Sequence, residues 1–254
     1  MLFGFELQDV LPFIVVGFAA QLVDGALGMA FGVISSTLLV SLGVPPATAS
    51  ATVHLAECFT TGVSGASHIL HKNVNWKLLA RLAVPGMLGG AAGAYLLSNI
   101  DASIAKPYVL AYLTCIGIYL LVRGIRHTEM ERRVRVIEPL GLLGGFLDAS
   151  GGGGWGPIVT SNLLLQGSDP RTTVGSVNTA EFFITTTISA TFIFSLGAEA
   201  FSAAIVGLIV GGVVAAPLGA WLTKHIPARP LLIMVGVVLT LTSLVGCAKA
   251  FKLF

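Results

Sequence analysis

The chain has 254 residues, of which 55% are hydrophobic and only 10% charged. A soluble domain carries about 25% charged residues, so 14 Lys and Arg with 12 Asp and Glu leave too little charge to coat a water-exposed surface. The net charge of +2, with no basic run among aromatics, argues against a nucleic-acid groove. The expectation is an all-α polytopic membrane protein with the lipid bilayer as its solvent.

The first ten residues contain Glu6 and Asp9 but no Lys or Arg. They lack the positive flank of a secretory signal, so the first apolar stretch is expected to be retained. A helix crosses the hydrocarbon core in about 20 residues. Apolar stretches run over 10–24, 26–42, 47–70, 78–98 and 104–123, then over 137–148, 154–166, 173–195, 201–222 and 231–249. Gly43-Val44-Pro45-Pro46, His71-Lys72-Asn73 and Gly167-Ser168-Asp169-Pro170 are among the breaks between them. As one helix, 10–42 would be about 50 Å long, too long for one upright span. An acid and three glycines interrupt it between Asp24 and Gly32, which predicts a hairpin of two short helices, either re-entrant or fully crossing. Cys58, Cys115 and Cys247 lie far apart in apolar stretches and are expected to be buried small hydrophobes, with no metal spacing.

The two sets of five stretches are copies. With residue n placed over n+124 from Gly17 to Ala66, 15 of 50 positions are identical and no gap is needed. Apolar bias alone would give roughly four or five. The matches include Asp24/Asp148, Gly28/Gly152, Gly32/Gly156, Pro46/Pro170 and Glu57/Glu181. The expected organisation is a first repeat over 1–123, a basic cytoplasmic linker over 124–136 and a second repeat over 137–254, within a single membrane domain. A hairpin plus three spans per repeat is an odd count, which inverts the second copy. That topology puts 11 of the 14 Lys and Arg on the cytoplasmic side, against 10 if each hairpin is one long helix. Lys72, Lys77, Arg81, Arg171, Lys224 and Arg229 join the five arginines of 123–135 inside, and Lys106, Lys249 and Lys252 lie outside.

Ionisable groups inside apolar spans are costly and are functional candidates. Here they come in repeat-related pairs: Asp24 with Asp148, Glu57 with Glu181, and His54 opposite Asn178. His54, Glu57, Thr61, Ser64 and His68 recur at steps of three and four, which lines one helix face, and Asn178, Glu181 and Thr185 form the counterpart. Two such stripes would meet at the repeat interface near the midplane, as in inverted-repeat transporters. The same stripes could instead glue helices, and Asp24 and Asp148 could cap the returning helix of each hairpin. His68 and His71 sit at a span end beside Lys72 and read as interfacial.

Gly151-Gly152-Gly153-Gly154 precedes Trp155, with Gly25, Gly28 and Gly32 in the first copy. A short helix starting after such a run aims free N–H groups inward, which suits a small anion. Gly86, Gly89, Gly90 and Gly93 instead read as tight helix packing. No Lys or Arg falls within the two stripes, so an anion would be held by amides, hydroxyls and His54.

At these residues the chain resembles the TauE/SafE family of sulfite exporter-like membrane proteins. The resemblance rests on the duplicated glycine-rich hairpin, proline turn and polar helix: Gly17, Gly28, Gly32 and Gly43-Val44-Pro45-Pro46, then Gly141, Gly151 to Gly154, Gly167-Ser168-Asp169-Pro170 and Gly175-Ser176. It implies a bacterial inner-membrane transporter of sulfite, sulfonates or related sulfur oxyanions, with no enzyme activity and no cofactor. The substrate-binding candidates are Gly25, Gly28, His54, Thr61, Gly151, Gly152, Gly153, Trp155, Asn178 and Thr185. Asp24, Glu57, Asp148 and Glu181 are the coupling candidates. Proton coupling is expected. An alternative makes sodium or another cation the coupling ion or solute, with those carboxylates as ligands. A metalloenzyme using His54, Glu57, His68 and His71 lacks the HExxH spacing. A homo-oligomer is left open.

Overall fold

The computed structural model describes residues 6–27, 29–126, 136–166, 168–197, 203–222 and 228–250. Its helices are α1 (Leu7–Leu27), α2 (Phe31–Ser41), α3 (Pro46–Leu70), α4 (Trp76–Ser98) and α5 (Ala102–Ile125). After them come α6 (Glu138–Gly151), a π-helical segment Gly156–Thr160 running into α7 (Ser161–Leu165), α8 (Pro170–Leu196), α9 (Ala203–Leu222) and α10 (Ala228–Ala250). No strand occurs among the described residues. The order of long, short and three long helices recurs at the spacing of the sequence repeat. Gly28, residues 127–135 of the linker, Lys224 and Lys252 lie outside the described residues, as do the side chains of Arg171 and Arg229.

Local chemistry sets the boundaries. Proline opens α3 and α8, where its missing N–H costs nothing. Asn75 caps α4 by accepting from the Lys77 and Leu78 amides at 3.1 Å each. Asp169 caps α8 through the Thr172 amide at 2.9 Å. Asp101 caps α5 from outside the span, and the Ser103 hydroxyl and amide hold its carboxyl below the ordinary carboxylate range. That cap is therefore complete above the ordinary range and is lost as pH falls through the lowered value.

Three described helical segments are long and apolar enough to cross a bilayer: Leu7–Asp24, Ala102–Ile125 and Thr172–Leu196. The chain is a multi-pass membrane protein. At 11 residues, α2 is about 16 Å long, roughly half the hydrocarbon thickness. The π-helical segment with α7 is no longer, so neither returning arm can cross upright. The first break also falls later than expected. α1 continues through Asp24 and Gly25 to Leu27, and α2 begins only at Phe31.

The closest helix pairings are α1 with α9, α4 with α6, α3 with α8, and α5 with α10. Exchanging the two copies turns the first pairing into the second and leaves the last two unchanged. Cys58 lies beside Ser189, Gly62 against Phe182 and Ser64 against Asn178, so α3 and α8 run antiparallel. α5 and α10 do the same, with Leu110 near Gly246, Gly117 near Thr240 and Leu121 near Gly236. α4 and α6 run parallel, with Gly86 against Gly145 and Gly93 against Phe146 and Ala149.

Lipid tails are as apolar as leucine, so burial of apolar area cannot drive these contacts, and close van der Waals packing takes its place. The α4 glycines serve that purpose. A methyl group on Gly89 would stand 2.0 Å from the Leu142 carbonyl oxygen, and one on Gly90 2.7 Å from Ile188. Outward positions are filled by Leu70, Leu88, Tyr108 and Phe194, whose exposure fits a hydrocarbon solvent. Cys115, expected to be buried, is exposed as well.

Gly89→Ala is expected to destabilise the protein in detergent by about 1–3 kcal/mol through overpacking. Val84→Ala, on an exposed face of the same helix, should change stability by less than about 0.5 kcal/mol. Thermal unfolding of both variants checks the difference.

Candidate functional site

The second hairpin turns on glycine. Gly152, Gly153 and Gly154 take φ values of +77°, +142° and +147°, a succession that side chains with a Cβ rarely adopt. The resulting tip touches the first hairpin backbone to backbone. A methyl group on Gly153 would lie 2.5 Å from the Gly32 carbonyl carbon. Across the same junction, the Ser161 hydroxyl approaches the Met29 sulfur at 3.6 Å.

Each tip is closed by its own aspartate. Asp24 reaches across the first turn, where its Oδ1 accepts from the Ala30 amide at 2.7 Å and the Phe31 amide at 3.2 Å. Asp148 Oδ1 accepts from the Trp155 amide at 2.9 Å, while its backbone carbonyl accepts from the Gly152 and Gly153 amides. This corrects the expectation that the helix-start N–H groups stand open to an anion. The Ala30, Phe31 and Trp155 amides are engaged by carboxylates already in the chain, and the Gly152 and Gly153 amides by the Asp148 backbone carbonyl.

The polar stripes converge on this junction. Glu57 lies beside Gly32, where a methyl group would sit 2.9 Å from its Oε1. Glu57 feels the charges of Asp24, Asp148 and Glu181, and Glu181 feels those of Asp24 and Asp148. Glu57, Asp148 and Glu181 are buried, and Asp24 is half-buried. Fully buried His54 faces Asp148 Oδ2 through Nε2 at 3.2 Å. All four acids and His54 therefore occupy one cluster built from both copies. Among the described residues, no group of three His, Cys, Asp or Glu side chains is placed to hold a metal ion.

The remaining candidates divide. Gly151 ends α6 and Gly25 lies in the last turn of α1, while Gly28 is outside the described residues. Trp155 is fully buried against Gly86 and Gly144, and its indole N–H donates to the Val177 carbonyl at 3.3 Å. Thr61 and Thr185 give their hydroxyl hydrogens to the Glu57 and Phe182 carbonyls one turn back. Such back-bonded hydroxyls keep lone pairs but have no hydrogen left for an anion. Asn178 donates to Ser64 Oγ at 3.2 Å, and its buried Oδ1 has no partner.

Three side chains of the site are not in the stripes. Tyr112 of α5 packs against Gly151 and Gly154 with its hydroxyl buried and unbonded. Ser36 of α2 places an equally unbonded hydroxyl against Gly152. Ser50 donates to the Ala149 carbonyl at 2.7 Å. Ser50 lies one turn before His54 and could have been found by extending the stripe. At the repeat offset Tyr112 falls on Gly236, with no polar counterpart, whereas Ser36 falls on Thr160.

The chain matches the family model described as sulfite exporter TauE/SafE over residues 13–245. It is 41% identical over 241 residues to "Probable membrane transporter protein YtnM" of Bacillus subtilis (strain 168), covering 91% of this chain and 80% of the relative. It is 28% identical over 212 residues to "Probable membrane transporter protein" of Haemophilus influenzae (strain ATCC 51907 / DSM 11121 / KW20 / Rd), covering 81% of each. No solved structure matches.

Asp24→Ala removes a helix cap and is expected to cost about 1 kcal/mol. Asp148→Ala also strands the buried His54 ring, and should cost about 3 kcal/mol or more. Equal losses in thermal unfolding would show that the His54 contact contributes nothing to stability.

Proposed function

The chain belongs to the sulfite exporter TauE/SafE family, and from that premise we propose that it is a proton-coupled secondary transporter of a small sulfur-containing anion, working by alternating access. That it is a membrane transporter follows from the family. The substrate class, the coupling and the cycle are our reading. Its repeats, 1–123 and 137–254, form one membrane domain and are related by a pseudo-twofold axis in the membrane plane. The antiparallel courses of α3 against α8 and α5 against α10 support that inversion, because each pair consists of repeat-related helices.

One observation carries the reading: four carboxyls and a histidine from both copies gather where two hairpins with short returning arms touch. Carboxylates that share a site repel one another and would repel an oxyanion, so a positive partner has to enter with the substrate. A proton on Glu57 or Glu181 meets that need and links anion occupancy to the proton gradient. Rocking one bundle against the other about the hairpin junction would then expose the site to each side in turn.

Sulfite flux into liposomes containing the purified protein is expected to follow an imposed pH gradient. The double variant Glu57→Gln with Glu181→Gln should abolish that dependence. Retained dependence would remove the two glutamates from the mechanism. Flux that instead follows a sodium gradient at constant pH would make the carboxyl cluster a cation site.

A further inference from the structure

The two ring nitrogens of His54 have different surroundings. Nδ1 lies 2.7 Å from the Ser50 carbonyl oxygen. A carbonyl only accepts, so Nδ1 carries a hydrogen and donates it. The Ser50 hydroxyl, 3.2 Å from the same nitrogen, gives its own hydrogen to the Ala149 carbonyl. The bond from Nε2 to Asp148 Oδ2 then needs one hydrogen, carried by the ring beside an ionised carboxylate or by the carboxyl beside a neutral ring. Either way the pair holds one proton and no net charge. Without that proton, a lone pair on the ring faces a carboxylate and the contact turns repulsive.

The repeat makes this position informative. The offset of 124 carries Ser50 to Val174, His54 to Asn178 and Asp24 to Asp148. Val174 has no hydroxyl, and the Asn178 amide does not titrate and turns instead to Ser64. Two side-chain bonds, Ser50 to Ala149 and His54 to Asp148, thus tie the second hairpin tip to α3. Among the described residues no side-chain bond ties Asp24 to α8, since its carboxylate serves the Ala30 and Phe31 amides.

We infer that His54 and Asp148 form a proton-binding site of the transport cycle, present in one copy only, whose proton latches the second hairpin tip to α3. This rests on the transport reading above, and it assigns His54 to the proton rather than to the anion. The other titratable groups of the cluster are Glu57 and Cys58 on α3, Glu181 on α8, Asp24 on α1 and Tyr112 on α5. No Lys or Arg occurs in α2, α3, α6 or the segment 156–165, so no fixed cation on these elements can replace the proton. Glu57 lies one turn beyond His54 on the same helix, and its buried Oε2 has no hydrogen-bond partner. The proton leaves the pair for that oxygen, which forms a neutral Glu57 carboxyl and leaves a neutral imidazole beside ionised Asp148. The hairpin tip is then released.

The molecule's own second copy supplies the variants. His54→Asn and Ser50→Val each copy the residue found one repeat later, and each removes one tie to the hairpin. In liposomes loaded with a pH-sensitive dye, His54→Asn is expected to lower the number of protons moved with each sulfite. Ser50→Val should keep the wild-type ratio of protons to sulfite. A wild-type ratio in His54→Asn, or an equal fall in both variants, overturns the assignment. A wild type that moves no sulfite would refute the transport reading, and a second measurement still decides the pair. In 15N-histidine-labelled protein, the His54 signals, identified by their loss in His54→Asn, should titrate in one step that Asp148→Asn displaces. Signals that Asp148→Asn leaves unmoved overturn the proton site.

Discussion

The structure depends on carboxylates bonding to the backbone of the turns they stand beside. A hairpin whose tip is buried among helices leaves amides there with no water to satisfy them, and an acid in the same place is equally costly alone. Asp24 and Asp148 meet both needs at once, each through a bond to the first amides of the arm that returns. With those groups paired, the tips can lose their side chains and meet as bare backbone at Gly32 and Gly153. Every other polar group of the cluster is positioned relative to that contact.

Around this centre, the same economy governs helix packing. Glycine faces let α4 lie against α6 and α8 at distances where a single methyl group would collide with a carbonyl or with isoleucine carbons. The α3 and α8 stripes face each other in opposite directions, so polar residues early in one helix meet those late in the other. Exact symmetry would have produced two equivalent half-sites. Val174 stands opposite Ser50 and Asn178 opposite His54, and among the described residues only the second hairpin tip is tied by these side-chain bonds to a stripe helix. On the proposed reading, that inequality is where direction enters a cycle built from duplicated parts.

Much of this was legible in the residues. The gapless repeat foretold the element order, because a duplicated pattern of acids, glycines and prolines specifies turns as firmly as apolar runs specify helices. Acid pairs at matching positions marked the cluster. The role of the tip amides was misjudged, because sequence spacing reveals where a helix starts but not whether a carboxylate six or seven residues earlier bends back to it. Asp24 lies inside α1 rather than at its end, which depends on a turn that forms three residues later. Tyr112 was invisible because it arrives from α5 by tertiary packing alone, with nothing in its local pattern to separate it from other aromatic residues of a span.

The pairing of α1 with α9 and of α4 with α6 bears on how the chain is made. Translation delivers α6 soon after α4, so the second hairpin finds its neighbour at once. α1 emerges first yet packs on α9, the penultimate helix. Through most of synthesis its Gly17 and Ile14 surface must therefore rest against lipid or an insertion factor. Biogenesis can dock the first hairpin on its neighbour only near the end, after almost the whole polypeptide has left the ribosome.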